Sequence, residues 1–248
     1  MIIPAVDLRE GKCVRLTEGR PDREIVYSDD PVAIASFWEA EGARCLHIVD
    51  LDGAFAGKPR NLDIVKKIIN TIRIPVQVGG GIRDMNTIEE LLDSGAKRVI
   101  LGTVAIINSN LVAEACAKYK EAIIVGIDAR EGKVVIEGWG VAAEKDALEL
   151  AGEMKNLGVK RVIFTDVGRD GTLKGPNLSA IQEIASVTRV KIIAAGGITT
   201  VNDLHSLLKL KPFGVEAVIV GKALYAGTIT LKEALDVGKW EEKRDLLC

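Results

Sequence analysis

The chain has 248 residues, which suits one α/β barrel of about 250 residues, and its 48% hydrophobic content is enough for a large core. The net charge of −2 and the pI near 5.9 argue against the basic surface of a nucleic-acid-binding protein. The opening MIIPAVD brings a proline and a carboxylate too early for a signal peptide, and no apolar run nears the ~20 residues of a membrane span. We therefore expect a cytoplasmic protein without a nucleic-acid or membrane partner.

Eight short apolar runs alternate with longer amphipathic segments along the chain. Several of these runs, such as AIIVGID and KIIAAGG, are apolar almost throughout, which is typical of parallel strands buried on both faces. Between two of them, Asp84 precedes IEELLDSGA and Gly95 closes it, as at the start and end of a helix. We expect the last helix to span about residues 222–237. The predicted strands are residues 2–7, 45–50, 75–79, 98–102, 122–128, 160–166, 191–195 and 216–221.

This alternation fits a closed barrel or an open doubly wound sheet, and an internal repeat favours the barrel. VDLREGKCV at 6–14 matches IDAREGKVV at 127–135, and EGARCLHIVD at 41–50 matches NLGVKRVIFTD at 156–166. VGGGI at 78–82 likewise matches AAGGI at 194–198, and VILGTVAI at 99–106 matches VIVGKALY at 218–225. The offset stays between about 116 and 121 residues. We therefore predict a single (βα)8 TIM barrel over residues 1–248, built from two duplicated (βα)4 halves at approximately 1–121 and 122–248.

Two aspartates, Asp7 and Asp128, end the first and fifth predicted strands, which are equivalent in the two halves. Catalytic groups of such barrels lie at the C-terminal ends of the strands, so both carboxylates are expected to face one mouth from opposite sides. One can donate a proton and the other accept one if their surroundings separate their pKa values. The alternative is that they cap turns or pair with Arg9 and Arg130. Recurrence of the pair in both halves favours catalysis.

Glycines follow the third and fourth predicted strands and recur after the seventh and eighth. Backbone N–H groups at such glycines can approach an anion, and a helix N-terminus adds partial positive charge. Two matched glycine sets across one mouth predict a substrate with a phosphate at each end, although a lone glycine pair is explained equally well by a tight turn. The candidate phosphate ligands are Gly80, Gly81, Gly102 and Thr103 in the first half and Gly196, Gly197, Gly221 and Lys222 in the second.

Further polar and aromatic residues are candidates for contacts with the substrate. Arg15, in the first loop, and Arg83 are candidate phosphate clamps or partners in surface salt bridges. Thr165 can bind a substrate hydroxyl or be an ordinary strand residue, and Asp170 lies in a glycine-rich loop, GRDGTLKGPN, typical of a mobile lid. Trp139, between glycines on a predicted hairpin, can stack on a planar ring or pack locally.

The chain has only two histidines, and its cysteines show no metal-ligand spacing. His47 lies in the middle of a predicted strand and is interpreted as structural. His205 is expected to be an exposed helix residue. A catalytic triad or a histidine-based metal site therefore has little support, and no metal is expected.

Seven motifs run in order along nearly the whole chain: PAVDLREGKCVRL, LHIVDLDGAF, VGGGIRD, LGTVA, TDVGRDGTLKGPN, AAGGI and VGKALY. Together they resemble the isomerase family of histidine biosynthesis that acts on phosphoribosylformimino-aminoimidazole carboxamide ribotide. The resemblance implies an Amadori rearrangement of an aminoaldose to an aminoketose, without a metal or organic cofactor. The implied substrate is a small bisphosphate, in agreement with the two predicted phosphate sites, and no obligate protein partner is expected.

The resemblance also implies a role for individual residues. Asp128 would act as the general acid that opens the ribose ring to a Schiff base. Asp7 would then remove the proton from the adjacent carbon to give an enolamine. Thr165 and Asp170 would position the reacting sugar, and Trp139 would stack on the substrate. The near symmetry of the repeat leaves the acid and base roles of the two aspartates open to exchange.

Three alternatives remain at this point. The related cyclase of the same pathway, which works with a glutaminase partner, shares both aspartates but opens with A-C-L-D where this chain has PAVD at 4–7. The bifunctional isomerase that also serves tryptophan synthesis tends to carry an arginine where this chain has Glu137. A non-catalytic barrel that binds phosphosugars is the third alternative, and it predicts that Asp7 and Asp128 are dispensable.

Overall fold

The computed structural model describes residues 1–136 and 141–237, in which strands and helices alternate. The strands are β1 Ile2–Arg9, β2 Lys12–Thr17, β3 Arg20–Ser28, β4 Leu46–Asp50, β5 Val76–Gly79, β6 Arg98–Leu101, β7 Ile123–Arg130, β8 Lys133–Ile136, β9 Val141–Asp146, β10 Arg161–Asp166, β11 Lys191–Ala195 and β12 Val215–Val220. The helices are α1 Pro31–Ala40, α2 Leu51–Ala56, α3 Leu62–Thr71, α4 Met85–Asp93, α5 Val104–Ile107, α6 Ser109–Tyr119, α7 Ala147–Asn156, α8 Leu178–Thr188, α9 Val201–Leu208, α10 Lys222–Tyr225 and α11 Leu231–Val237. Two 3-10 turns, Lys120–Ala122 and Lys211–Phe213, complete the set.

Eight of the strands form a closed parallel barrel. Its order is β1, β4, β5, β6, β7, β10, β11 and β12, and β12 pairs with β1 to close the ring. Helices lie between successive strands, which confirms the predicted (βα)8 barrel. β2 and β3 extend β1 as an antiparallel hairpin, and β8 and β9 extend β7 in the same way.

The predicted barrel strands agree with the structure to within about two residues at each end, but three details differ. β1 and β7 continue beyond the predicted ends at Asp7 and Asp128, because each goes on into its antiparallel hairpin. Arg15 lies on β2 rather than in a loop. The single last helix predicted for residues 222–237 is wrong. Gly227 has a φ of 69° there, and the chain divides into α10 and α11, with Thr230 bonded to Glu233 in the first turn of α11.

Alternation along the strands creates two separate layers of the core. One side of each strand packs on the helices, as Val6 on β1 and Val125 on β7 do. The other side fills the barrel interior, where Ile3, Ile124 and Ile163 belong to one buried cluster. Because side chains alternate with a period of two, the residues that follow these three at every second position also face the interior.

Two buried or half-buried aspartates at the ends of β4 and β10 hold the chain that follows each strand. Asp50 accepts hydrogen bonds from the backbone N–H of Gly53 at 2.8 Å and from Nδ2 of Asn61 at 2.7 Å. Asp166 accepts from Nδ2 of Asn177, also at 2.7 Å. The asparagine follows the aspartate by eleven residues in both places, so the two bonds are matched, and Asp50 also caps α2.

A charged layer closes the base of the barrel, at the N-terminal ends of the strands. Arg161 is 1% exposed and donates to Glu216 at 2.9 Å and to Glu121 at 2.7 Å. Glu216 is 14% exposed, whereas Glu121 is 57% exposed. Arg98 is also buried, and burial, with the charge of Arg161, lowers its pKa to about 10. Glu216 is thus the less exposed of the two carboxylates that neutralise two buried guanidinium groups.

No helix in the described part of the chain is long and apolar enough to cross a bilayer.

The base of the barrel generates a stability prediction. Glu216→Gln should lower the free energy of unfolding by about 3 kcal/mol, because it leaves buried arginine charge without its less exposed partner. Glu121→Gln is the matched control. It removes a carboxylate from the same guanidinium but from a largely exposed position, and should cost less than about 1 kcal/mol. Urea denaturation of both variants measures the difference, and equal losses would contradict the assignment.

Candidate active site

The strand alternation brings Asp7 and Asp128 to the same end of the barrel interior. Asp7 continues the interior row of Ile3 and Ala5 on β1, and Asp128 occupies the equivalent place after Ile124 on β7. Both line one cavity at the C-terminal end of the strands, together with Thr165 at the end of β10. The sequence prediction that these side chains share one mouth agrees with this geometry; their chemical roles are addressed below.

Asp7 forms a buried ion pair with Arg15. Nη1 of Arg15 lies 2.8 Å from Oδ2 of Asp7, and the two side chains are 7% and 13% exposed. The alternative pairing of Asp7 with Arg9 does not form, because Arg9 binds Glu24 at 2.6 Å. Arg15 also packs against Gly221, where any side chain would overlap the guanidinium. A glycine at the start of α10 therefore makes room for the arginine that faces Asp7.

Burial and charge act in opposite directions on the Asp7 carboxyl. Burial is the larger effect and raises the pKa of Asp7 from 3.8 to about 6. The Arg15 guanidinium lowers this pKa, and the nearby Asp170 raises it again. Asp7 is consequently a stronger base than an ordinary aspartate, yet it is still mostly ionised at neutral pH.

The loop after β10 reaches the mouth through Asp170. Its side chain lines the cavity, and burial raises its pKa against the charges of Arg15 and Lys222, which lower it. The backbone N–H of Glu18, in the β2–β3 turn, donates to the carbonyl of Asp170 at 3.0 Å. The loop and the hairpin therefore meet over the site, and Asp170 is a half-buried residue rather than a fully solvated loop charge.

The predicted phosphate ligands divide between two cavities. Those of the first half lie in the cavity that holds the aspartates, and those of the second half line a smaller one. The two cavities share four residues, Arg15, Asp170, Ala195 and Ile219. The first set is Gly80, Gly81, Arg83, Gly102 and Thr103, and the second set is Gly196, Gly197, Gly221 and Lys222.

Close packing of the backbone requires glycine in the pairs after β5 and β11. Gly81 has a φ of 73°, and a Cβ there would lie 2.5 Å from the carbonyl oxygen of Gly53. Gly196 has a φ of 86°, and a Cβ there would lie 2.8 Å from the carbonyl oxygen of Asp166. Both distances are too short for a side chain, so these residues must be glycine for the loops to pack. Close packing alone therefore explains these glycines, and the binding of phosphate there stays a prediction.

The two basic residues of the phosphate sets differ in their contacts. Nζ of Lys222 donates to Oγ1 of Thr17 at 3.0 Å and to the carbonyl of Gly171 at 2.8 Å. Lys222 thereby connects the β2–β3 hairpin to the loop after β10 at the edge of the smaller cavity. Arg83 lies against Gly57, where a Cβ would approach Nη1 to 2.7 Å, and its side chain lines the larger cavity.

One buried hydroxyl holds the hairpin that carries the ion pair. The Tyr225 hydroxyl donates to the carbonyl of Ala5 at 2.9 Å, accepts from Nε1 of Trp38 at 3.3 Å, and lies 3.4 Å from Sγ of Cys13. Burial raises the pKa of Tyr225 well above its usual value, so the hydroxyl keeps the proton that it donates. Ala5 and Cys13 lie on β1 and β2, the two strands that carry the ion pair.

His47 is the cavity residue that sequence reasoning set aside as structural. It is 8% exposed, lines the larger cavity, and its Nδ1 lies 3.1 Å from Nε2 of Gln77. The missed signal was the strand pattern, because His47 is two residues beyond Cys45, which faces the barrel interior. His205 lies on α9 and is exposed, as expected.

Trp139 and Glu137 lie outside the described residues, between β8 and β9. Within residues 1–136 and 141–237, no three His, Cys, Asp or Glu side chains are grouped so that they could hold a metal ion.

Comparison with known proteins shows the family to which the chain belongs. The sequence model of a family described as histidine biosynthesis protein matches residues 1–230. A protein of Pelotomaculum thermopropionicum, named 1-(5-phosphoribosyl)-5-((5-phosphoribosylamino)methylideneamino)imidazole-4-carboxamide isomerase, is 61% identical over 100% of this chain and 96% of its own length. Isomerases of the same name from Desulforamulus reducens and a Synechocystis species are 52% and 50% identical over at least 95% of each chain. The chain therefore belongs to the histidine biosynthesis protein family.

Proposed function

We propose that this chain is the histidine-biosynthesis isomerase for which its relatives are named, and that it acts by general acid–base catalysis. The reaction is the conversion of the aminoaldose group of a bisphosphorylated ribotide to an aminoketose. One observation carries the catalytic proposal: Asp7 and Asp128, at equivalent positions of two strands, line one cavity at the C-terminal end of the barrel. Full-length identity to proteins that bear the isomerase name supports the substrate.

The surroundings of the two aspartates support one assignment of roles. In the repeat, VDLREGKCVR at 6–15 aligns with IDAREGKVVI at 127–136, so Ile136 occupies the place that corresponds to Arg15. Both residues line the cavity. The Arg15 guanidinium favours a negative charge on Asp7, and Ile136 brings no charge to the corresponding position. We therefore assign Asp7 as the base and Asp128 as the acid.

In this assignment the reaction proceeds in two proton transfers. Asp128 protonates the ring oxygen of the ribose as the bond from the anomeric carbon to that oxygen breaks, which leaves a Schiff base. Asp7 then removes the proton from the adjacent carbon, and the electrons of that C–H bond form the enolamine. Ketonisation of the enolamine gives the aminoketose. One carboxyl has lost a proton and the other has gained one, so a proton exchange restores the enzyme.

The other candidate residues are proposed to hold the substrate. Thr165 and Asp170 line the same cavity as the aspartates and are within the region where the reacting sugar would lie. The two matched sets of glycines, with Arg83 in one and Lys222 in the other, are proposed to receive the two phosphates. Trp139 is proposed to stack on the substrate.

We further propose that the chain works in the cytoplasm, without an obligate protein partner, a nucleic acid or a membrane. No cofactor is included in the proposed reaction, because two carboxyl groups account for both proton transfers. The duplicated halves, approximately 1–121 and 122–248, remain part of the proposal.

The alternatives are distinguished by substrate. The cyclase would require the aminoketose and ammonia, and the bifunctional enzyme would also convert the corresponding aminoaldose of tryptophan synthesis. The names of the relatives favour the isomerase over both. A non-catalytic barrel would bind the bisphosphate without converting it.

The proposal is tested by turnover of the bisphosphate aminoaldose by the purified chain, followed spectrally. Asp7→Asn and Asp128→Asn should each lower kcat by about 10²- to 10⁴-fold while the substrate still binds, because each variant removes one proton-transfer group. Asp63→Asn, on the exposed side of α3, is the matched control and should leave kcat unchanged. Binding without turnover by the unmodified chain would favour the non-catalytic barrel.

The raised pKa of Asp7 generates a second prediction. Because the base must be ionised, kcat/KM should fall about tenfold per unit below about pH 6, as the carboxyl with a pKa of about 6 becomes protonated, and it should fall again at higher pH once the proposed acid, Asp128, has lost its proton. A phosphate monoester also titrates near pH 6, at about the same value. The pH dependence of substrate affinity in Asp7→Asn measures that contribution alone. If kcat/KM of the unmodified chain merely follows this affinity, Asp7 is not the base.

A further inference from the structure

The strand that carries Asp7 changes its neighbour just before that residue. β1 pairs with β12 over Ile2–Pro4 and with β2 over Asp7–Arg9. Ala5 lies between the two pairings, and its carbonyl accepts a hydrogen bond from the Tyr225 hydroxyl at 2.9 Å. Tyr225 therefore holds β1 at the change of neighbour, two residues before the proposed base.

The same hydroxyl reaches the strand that carries Arg15. Its oxygen lies 3.4 Å from Sγ of Cys13, which is on β2, two residues before Arg15. A phenol has one proton to donate, and the carbonyl of Ala5 takes it, so the Cys13 thiol is the donor of the second contact. Burial raises the pKa of Cys13 to about 11 and that of Tyr225 well above its usual value, so both groups keep their protons at neutral pH. One hydroxyl thus contacts both strands of the ion pair, two residues before each partner.

Neighbouring aromatic rings fix the place of this hydroxyl. Trp38 on α1 meets the Tyr225 ring edge-on, with centroids 5.4 Å apart, and its Nε1 donates to the hydroxyl oxygen at 3.3 Å. The ring of Tyr27, on β3, lies 4.7 Å from that of Tyr225. Because α1 belongs to the outer layer of helices, the hydroxyl connects β1 and β2 to a part of the fold that the hairpin itself does not build.

The separation of Asp7 and Arg15 decides how strongly the guanidinium acts on the carboxylate. Their contact of 2.8 Å is that of a charge-assisted hydrogen bond, and the attraction falls as the distance grows. The other charged group that acts on Asp7 is Asp170, which lies in the loop after β10 and outside the Tyr225 contacts. A displacement of β1 against β2 would therefore chiefly change the effect of Arg15.

We propose that Tyr225 is a positioning residue of the proposed isomerase. Its hydroxyl holds β1 at Ala5 and β2 at Cys13, and thereby fixes the distance between the Asp7 carboxylate and the Arg15 guanidinium. This positioning is a property of the ligand-free protein and does not depend on the reaction. Its effect on turnover rests on the proposed function, because Asp7 acts as the base only in that reaction.

Titration of Asp7 by 13C NMR tests the positioning in the ligand-free protein. Tyr225→Phe keeps the ring and removes only the hydroxyl. The ion pair should then loosen, and the midpoint of Asp7 should rise by up to about 1 pH unit, which is part of the effect of a close opposite charge. Tyr27→Phe, in the ring that contacts Tyr225, is the matched control and should leave the midpoint unchanged. An unchanged midpoint in Tyr225→Phe would overturn the proposal and leave Tyr225 as a packing residue.

Trp38→Phe is a second variant, and it tests the same geometry if urea denaturation shows that Tyr225→Phe is unfolded. It keeps an aromatic ring beside Tyr225 and removes the Nε1 donor to the hydroxyl. The midpoint of Asp7 should again rise, by less than in Tyr225→Phe, because the bond to Ala5 remains. The value of the unmodified chain in a folded Trp38→Phe would likewise contradict the positioning role.

Kinetics tests the consequence for the reaction. In Tyr225→Phe the acid limb of kcat/KM should move to higher pH by as much as the NMR midpoint, which lowers kcat/KM by up to about fivefold near pH 6. In an Arg15→Met background, Tyr225→Phe should cause little further loss, because Tyr225 acts through the ion pair. Additive losses, or a loss that is equal at every pH, would overturn the positioning role. Absence of turnover in the unmodified chain would contradict the proposed function alone, because the titration does not depend on it.

Discussion

The ion pair between Asp7 and Arg15 is the interaction on which the site depends. The cavity buries the Asp7 carboxyl and raises its pKa, which increases its basicity, and the guanidinium at 2.8 Å limits that rise. Without burial, the pKa of Asp7 would be lower and its carboxylate would be a weaker base. Without Arg15, the pKa would be higher, so the carboxyl would already be protonated at a higher pH. Several features of the barrel serve this balance. Gly221 leaves space for the guanidinium, and Tyr225 ties β1 to the helix beside it.

In the proposed reaction, matched positions of the two barrel halves carry carboxyl groups with unlike roles, one base and one acid. The aspartates, the glycine loops and the capping bonds of Asp50 and Asp166 occur at matched positions of the two proposed halves. A symmetric pair of carboxyls would have no reason to divide into acid and base. Ile136 in the second hairpin occupies the place that Arg15 has in the first. This difference gives the two sides of the cavity different electrostatic surroundings. Arg15 and Ile136 both line the wall of the one cavity.

Much of this architecture is predictable from the sequence. Apolar runs locate all eight barrel strands, because a strand buried on both faces is apolar at most of its positions. The repeat locates Asp7 and Asp128, because equivalent strand ends of a closed barrel meet at one mouth. The partner of Asp7 was not predicted, because Arg15 was expected in the first loop, whereas it lies on β2, which pairs antiparallel with β1. The interpretation of His47 as structural did not use the alternation of the strand, which places His47 two residues beyond Cys45 on the interior wall.

The most direct test of this account is the titration of Asp7 itself. 13C NMR of labelled aspartate, with Asp7→Asn to identify the signal, gives its midpoint in the ligand-free protein and in Arg15→Met. The account predicts a midpoint at about pH 6 in the unmodified chain and a higher one in Arg15→Met, because the guanidinium lowers the pKa that burial raises. A midpoint near the ordinary value of 3.8, or one that does not move when Arg15 is replaced, would contradict it.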